Sequence, residues 1–318
     1  SGGRVKKAVA NLSLAVEKGS VLGLLGENGA GKTTFMSVLI GLLTPSDGGA
    51  LIAGENIRTD IDDARLQTGF CPQHDVLLGE MSAREHLVFF AQMKGVARCQ
   101  IQQHVDDALR DVGLLQFQHR PSGQLSGGMK RRLQIAVSLI GQSSVVFLDE
   151  PTTGLDPSSR RAIWAIIRRV RQQADRAILI STHLMDEAEY LSSRIAIMSH
   201  GRLRCLAGQQ RLKTLYGNGY KIVANYSEND RDRADALVQK VCKDCSASCE
   251  KIQSFDGQAT WRFDQIDADE SSSCSEFAVS KVFEGLNCTA SEAGITDWAM
   301  GQVTLDDCFS LIVQQYRS

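Results

Sequence analysis

The sequence predicts an α/β fold with a mostly parallel sheet, interrupted by a helical lobe and followed by a small α+β unit. Three observations predict it. Short apolar runs at 21–25, 145–148, 177–181 and 194–198 alternate with helical periodicity, the order of βαβ units. The stretch from about 75 to 141 is helical in pattern. After Gly217 the order becomes strand, helix, strand, helix, strand, helix, and the charge changes with it. Residues 225–318 hold 17 Asp/Glu against 8 Lys/Arg, a net of −9, whereas residues 1–224 carry +7. The predicted domains are 1–217 and 218–318.

Val21–Leu25 reads as a buried strand, followed by a glycine-rich turn and a helix over Thr33–Leu43. Thr44-Pro45 and Gly48-Gly49 stop that helix, and Ala50–Ile57 reads as a strand. Ser82-Ala83-Arg84-Glu85 is a capping box, in which serine and glutamate satisfy orphan N–H groups of a helix running to about Lys94 and closed by Gly95. Helices follow at Ile101–Val112 and at Met129–Ile140, the latter ending at Gly141. Asp156-Pro157 opens another, with proline at its first position, and a short acidic helix precedes the strand Arg194–Met198. The last hundred residues read as strand Tyr220–Asn225, helix Arg233–Val241, strand near Ala259–Phe263, helix Glu276–Phe283, strand Trp298–Val303 and a final helix.

The chain has 318 residues, 43% of them hydrophobic and 23% charged, which is the composition of a globular protein and not of a disordered one. No apolar stretch reaches the roughly 18 to 20 residues that cross a bilayer, since even Val137–Leu148 is broken by Gly141, Gln142, Ser143 and Ser144. Ser1–Lys7 lacks the apolar core of a signal peptide and reads as the start of an excised fragment. Nine cysteines without framework spacing suit a reducing compartment. Clusters such as Lys130-Arg131-Arg132 and Arg168-Arg169-Arg171 read as solvated helix faces.

Gly26-Glu27-Asn28-Gly29-Ala30-Gly31-Lys32-Thr33 fits the phosphate-binding pattern G-x-x-x-x-G-K-[ST], placed where the mechanism needs it, between a buried strand and a helix. Its glycines let backbone N–H groups curl around phosphate oxygens, the helix N-terminus adds positive potential, Lys32 reaches the β and γ phosphates, and Thr33 ligates Mg²⁺. Gly26, Asn28, Gly29, Gly31, Lys32, Thr33 and Thr34 are the expected ATP contacts. The strand Val145–Leu148 delivers Asp149 and Glu150 at its carboxyl end, the edge where open parallel sheets bind ligands. Asp149 is assigned to Mg²⁺, and Glu150 to taking a proton from the attacking water. Ser126, Gly127 and Gly128 open a second helix N-terminus able to cradle an anion, which a monomeric P-loop enzyme does not need.

In this order the motifs resemble those of ATP-binding cassette (ABC) proteins: Walker A at Gly26–Thr33, signature at Leu125–Gly128, Walker B at Val145–Asp149, then Glu150, a D-loop at Gly154-Leu155-Asp156, and Ser181-Thr182-His183. The resemblance implies a P-loop NTPase cassette with a RecA-like core and a helical subdomain at about 75–141. It implies that Gln73 is the Q-loop glutamine, sensing Mg²⁺ and the transport domain, that His183 contacts the γ phosphate, and that Asp156 belongs to the nucleotide site. It further implies a head-to-tail partner cassette whose ATP is capped by Ser126, transmembrane domains elsewhere in the polypeptide, and a place on the cytoplasmic face of a membrane. Gly69–Asp75, Glu85-His86-Leu87, Thr182–Ala188 and Gly201–Cys205 resemble subfamily A, the lipid transporters, and Gln302–Phe309 resembles the close of that subfamily's ferredoxin-like regulatory domain. The likeness is dense to about residue 225 and thin beyond.

Two departures qualify it. Cassettes stack adenine on an aromatic residue before the first strand, yet the first aromatic here is Phe35; the expectation is that this chain binds ATP about tenfold or more weakly than one extended at its N-terminus. Cys242, Cys245 and Cys249 lack a second C-x-x-C and a nearby histidine, so free thiols are expected there and not zinc. A DNA- or ribosome-acting ATPase is disfavoured, because fewer than a hundred residues separate Lys32 from Ser126, leaving no room for a long coiled coil, and no basic stripe with aromatics supports nucleic-acid binding. A cassette that binds ATP without hydrolysing it is disfavoured by the presence of Glu150 and His183. Leu125–Gly128 suits the first cassette of a transporter and Tyr220-Lys221-Ile222-Val223 the second, leaving both open.

Overall fold

The computed structural model describes residues 7–141, 143–173, 175–216, 219–245, 247–265 and 275–315. Ser1–Lys6, Gln142, the expected boundary at Gly217 and Cys274 lie outside them. The chain divides into two compact units that meet between Gln209 and Gln210.

The first unit is built on strand β1 (Val21–Leu25), all five residues of which are buried, and helix α1 (Lys32–Leu39). The helix ends four residues earlier than its periodicity suggests. Gly41 takes a left-handed conformation at φ +74°, and Leu42 and Leu43 past it are exposed, so apolar residues that resembled a helical face belong to a turn. The single strand expected over Ala50–Ile57 is instead a hairpin of β2 (Leu51–Ile52) and β3 (Glu55–Asn56). Its two turn residues, Ala53 and Gly54, both have positive φ (52° and 96°), the twist a two-residue hairpin requires.

Helix α2 (Ile61–Leu66) and strand β4 (Thr68–Cys71) follow, neither of them expected. Helices α3 (Ala83–Met93), α4 (Arg98–Asp111) and α5 (Gly127–Leu139) form the helical stretch. The capping box of α3 is present: Ser82 N donates to Glu85 Oε2 at 2.7 Å and Glu85 N to Ser82 Oγ at 3.3 Å. Then come β5 (Val145–Asp149), α6 (Pro157–Gln173), β6 (Ala177–Thr182), α7 (Met185–Leu191), β7 (Arg194–Ser199) and β8 (Arg202–Gly208).

The sheet order is β4-β5-β6-β1-β7-β8, parallel except for β8, which turns back antiparallel along β7. Because strand side chains alternate, each central strand feeds two cores. Val146, Leu148, Ile178 and Ile180 pack with α3, α4, α5 and α6, while Phe147, Leu179, Leu22 and Leu24 pack with Met36 of α1, Ile52 and Ala64. Gly69 in β4 has no side chain for a reason: a Cβ there would stand 1.8 Å from the Ser138 carbonyl of α5.

The division falls within the first turn of α8 (Gln209–Tyr216), and the second unit then runs β9 (Tyr220–Tyr226), α9 (Arg231–Asp244), β10 (Ala247–Phe255), β11 (Gln258–Gln265), α10 (Ser275–Thr289), β12 (Ile295–Gln302) and α11 (Leu305–Gln315). From β9 to β12 this is a βαββαβ order, with an antiparallel sheet arranged β10-β11-β9-β12. Ile222, Ala224, Ala259 and the fully buried Trp261 face Val238 and Cys242 of α9 and Val282 and Leu286 of α10. Among the described residues no two cysteines are joined in a disulfide, and no helix is long and apolar enough to cross a membrane.

Candidate nucleotide site

The loop between β1 and α1 is shaped by its glycines. Gly29 and Gly31 have φ of 81° and 104°, which L side chains rarely adopt. A Cβ on Gly26 would meet the Met198 carbonyl at 2.5 Å, and one on Gly31 the Ala8 carbonyl at 2.4 Å. Lys32 is 4% exposed and folds back over the loop, donating to Gly26 O at 2.8 Å and Glu27 O at 3.2 Å, with Glu150 Oε1 at 3.6 Å. Burial lowers its pKa from the usual lysine value, and Glu150 works against that shift. Asn28 and Thr33 are exposed and Thr34 half-buried at the mouth of the loop.

Three expected residues, Lys32, Gln73 and His183, converge on Glu150. Its Oε2 accepts from Gln73 Nε2 at 3.1 Å and from Thr153 Oγ1 at 3.0 Å, and lies 3.3 Å from His183 Nδ1. Thr153 was not anticipated. Glu150 itself sits in the left-handed region at φ 44°, a conformation that costs a non-glycine residue about 1–3 kcal/mol and is held only where its surroundings impose it. Asp149, 1% exposed, accepts a hydrogen bond from Ser181 Oγ.

Part of what imposes that backbone is Arg131, and here the reading of Lys130-Arg131-Arg132 as a solvated cluster is corrected. Arg131 is only 7% exposed. Its guanidinium donates to three successive carbonyls after β5: Asp149 and Glu150 from Nη2, both at 2.9 Å, and Pro151 from Nε at 2.7 Å. Its Nη1 donates to Pro72 O, to Gln73 O at 3.3 Å and to Gln134 Oε1 at 2.9 Å. The charge cluster hid this residue, because an arginine that serves backbone carbonyls has no sequence signature. His86 is equally concealed: 1% exposed, its Nδ1 lies 2.8 Å from Ser82 O while Nε2 accepts from Leu78 N at 2.9 Å, fixing the chain after the glutamine.

Ser126 caps α5, accepting from Met129 N at 3.3 Å, and together with Gly127 it is exposed. Gly128 packs on Ser159 at the start of α6, where a Cβ would lie 2.6 Å from the hydroxyl. Asp156 caps α6: the hydrogen bond from Ser158 Oγ, and then those from Ser159, hold its carboxyl well below the usual range. Its carboxylate therefore serves the helix start and is not gathered with Lys32 and Glu150.

The residues expected to hold Mg²⁺ offer a hydroxyl (Thr33), an amide oxygen (Gln73) and a carboxylate (Asp149), hard oxygen donors of the kind Mg²⁺ prefers, and Mg²⁺ keeps several of its waters, so few protein ligands suffice. Two adjacent buried carboxylates beside Lys32 are consistent with a cation there.

The ABC transporter family profile matches residues 9–153. The chain is 38% identical over 315 residues, 98% of its length, to ABC transporter A family member 7 of Arabidopsis thaliana, and spans 32% of the length of that protein. Its fold superimposes on an ATP binding subunit of an ABC transporter with a TM-score of 0.61 and 26% identity, covering 67% of this chain and 88% of that one. A bacterial ABC transporter cassette solved as a dimer shares the fold at a TM-score of 0.59 and 22% identity, over 65% of this chain and 93% of that one. With the phosphate loop, the paired carboxylates and the sheet order in agreement, the chain belongs to the ABC transporter ATPase cassettes and is similar along nearly its whole length to A family members.

Proposed function

We propose that this chain is the ATP-hydrolysing motor of an A-family transporter, driving a lipid or similar amphiphile across a membrane through ATP-dependent closure of two cassettes. The observation that carries the reading is the convergence of Lys32, Gln73, Thr153 and His183 on Glu150. A carboxylate so held is placed to take a proton from a water attacking the γ phosphate. Lys32 and the loop amides hold the phosphates, and His183 steadies the γ phosphate and Glu150. Thr33, Gln73 and Asp149 would hold Mg²⁺, which neutralises phosphate charge when bound.

Exposure of Ser126 and Gly127 suits their capping the ATP of a partner cassette in a head-to-tail dimer, and a bacterial cassette of this fold has been solved as a dimer. Residues 1–217 are then the cassette and 218–318 a regulatory domain, whose βαββαβ order is that of ferredoxin-like units. Transmembrane domains of the same transporter place the chain on the cytoplasmic face of the membrane. The test is Glu150→Gln, which should keep ATP affinity, lose turnover and accumulate an ATP-bound dimer by light scattering. Hydrolysis at an unchanged rate would remove Glu150 from the role of general base.

A further inference from the structure

We propose that Arg131 is a positioning residue for hydrolysis, fixing where Gln73 and Glu150 stand relative to one another. The inference rests on the reading of Glu150 as general base. The side chains of Gln73 and Glu150 meet at 3.1 Å, although they come from chain segments far apart in sequence. Arg131 binds the backbones of both: Pro72 and Gln73 on one side, Asp149, Glu150 and Pro151 on the other. Three consecutive carbonyls fixed by one planar group also lock the left-handed φ of Glu150, which aims its carboxylate.

Gln134, one turn further along α5, orients the guanidinium through its Oε1 and itself donates to His74 O at 3.1 Å, so the far end of the glutamine segment is tied to the same helix. Because Ser126 opens α5, Arg131 stands on the same helix as the second anion cradle. A lysine at 131 keeps the charge but offers three donors from a single point, which cannot span two segments.

In this chain, Arg131→Lys should lower kcat, expressed per bound nucleotide, by about tenfold or more while the Kd and KM for ATP stay within about threefold, because a small misplacement of a base costs turnover and not ground-state binding. An arginine with a purely structural role predicts loss of binding sites with kcat per bound nucleotide unchanged, and that result overturns the proposal. If Arg131→Lys does not fold, Gln134→Met, which frees the guanidinium but keeps side-chain volume, should lower kcat severalfold at constant Kd; full turnover there overturns it equally. Glu150→Gln is the control. Lost turnover in Glu150→Gln with full turnover in Arg131→Lys refutes the positioning role alone, whereas unchanged turnover in Glu150→Gln refutes the general-base reading and this inference with it.

Discussion

Glu150 gives its backbone N–H to Ser181 twice, to the carbonyl at 3.1 Å and to Oγ at 3.0 Å, while the Ser181 hydroxyl proton goes to Asp149. One serine thus serves both carboxylate-bearing residues, from a neighbouring strand and in full burial. Ser181→Ala leaves a buried Asp149 oxygen without its donor, so the chain should lose about 1–3 kcal/mol in urea unfolding. Turnover should fall more than ATP affinity, since the groups disturbed are those read as metal ligand and base. Equal losses in both would place Ser181 outside the chemistry.

Lys32→Met should abolish or weaken ATP binding by roughly ten- to a hundredfold in calorimetry, the worth of a charge-assisted hydrogen bond to phosphate. Among the described residues Lys32 meets main-chain carbonyls and Glu150, so the variant should remain folded. Unchanged affinity would show that the loop binds something else.

In the second unit, Asp307 accepts from Lys221 Nζ at 2.7 Å and caps α11 through Thr304 N, also at 2.7 Å. Burial opposes ionisation, but Lys221 and Thr304 together outweigh it and hold the carboxyl below the usual range. A depressed folded-state pKa contributes stability above the unfolded value of about 4, and that contribution is lost as pH falls through the folded value. Asp307→Asn should therefore cost about 1 kcal/mol at pH 7, with the difference from the parent closing in acid. A pH-independent difference would assign the effect to packing.

Cysteine reactivity should divide by burial. Cys99 and Cys288 are exposed, whereas Cys71 is fully buried in β4 and burial pushes its thiol up to about 11. Iodoacetamide at pH 7.5 should label the first two quickly and spare Cys71 until denaturant is added, as peptide mass spectrometry would read.

The nucleotide-binding loop, both carboxylates, the capping box and the α5 entry were legible because each depends on a residue type at a fixed spacing. The same logic explains the failures. Gly41 and Ala53 turn the chain by backbone conformation, which apolar periodicity does not encode, and Thr68–Cys71 is too short and too rich in small residues to announce a strand. Strand β10 was missed because its residues are mixed in polarity, and its pairing with β11 across Asp256-Gly257 defines it. Arg131 was missed for a deeper reason: its partners are carbonyls, present at every position, so only the folded path selects which ones it meets.

The bare backbone at Gly69 lets α5 rest directly on β4, and the same core runs from Leu87 and Leu109 of the helical stretch to Val146 and Ile178 of the sheet. One continuous core therefore joins these helices to the sheet. Heat should take lobe and sheet apart in one cooperative transition, with slow amide exchange shared between α5 and β5.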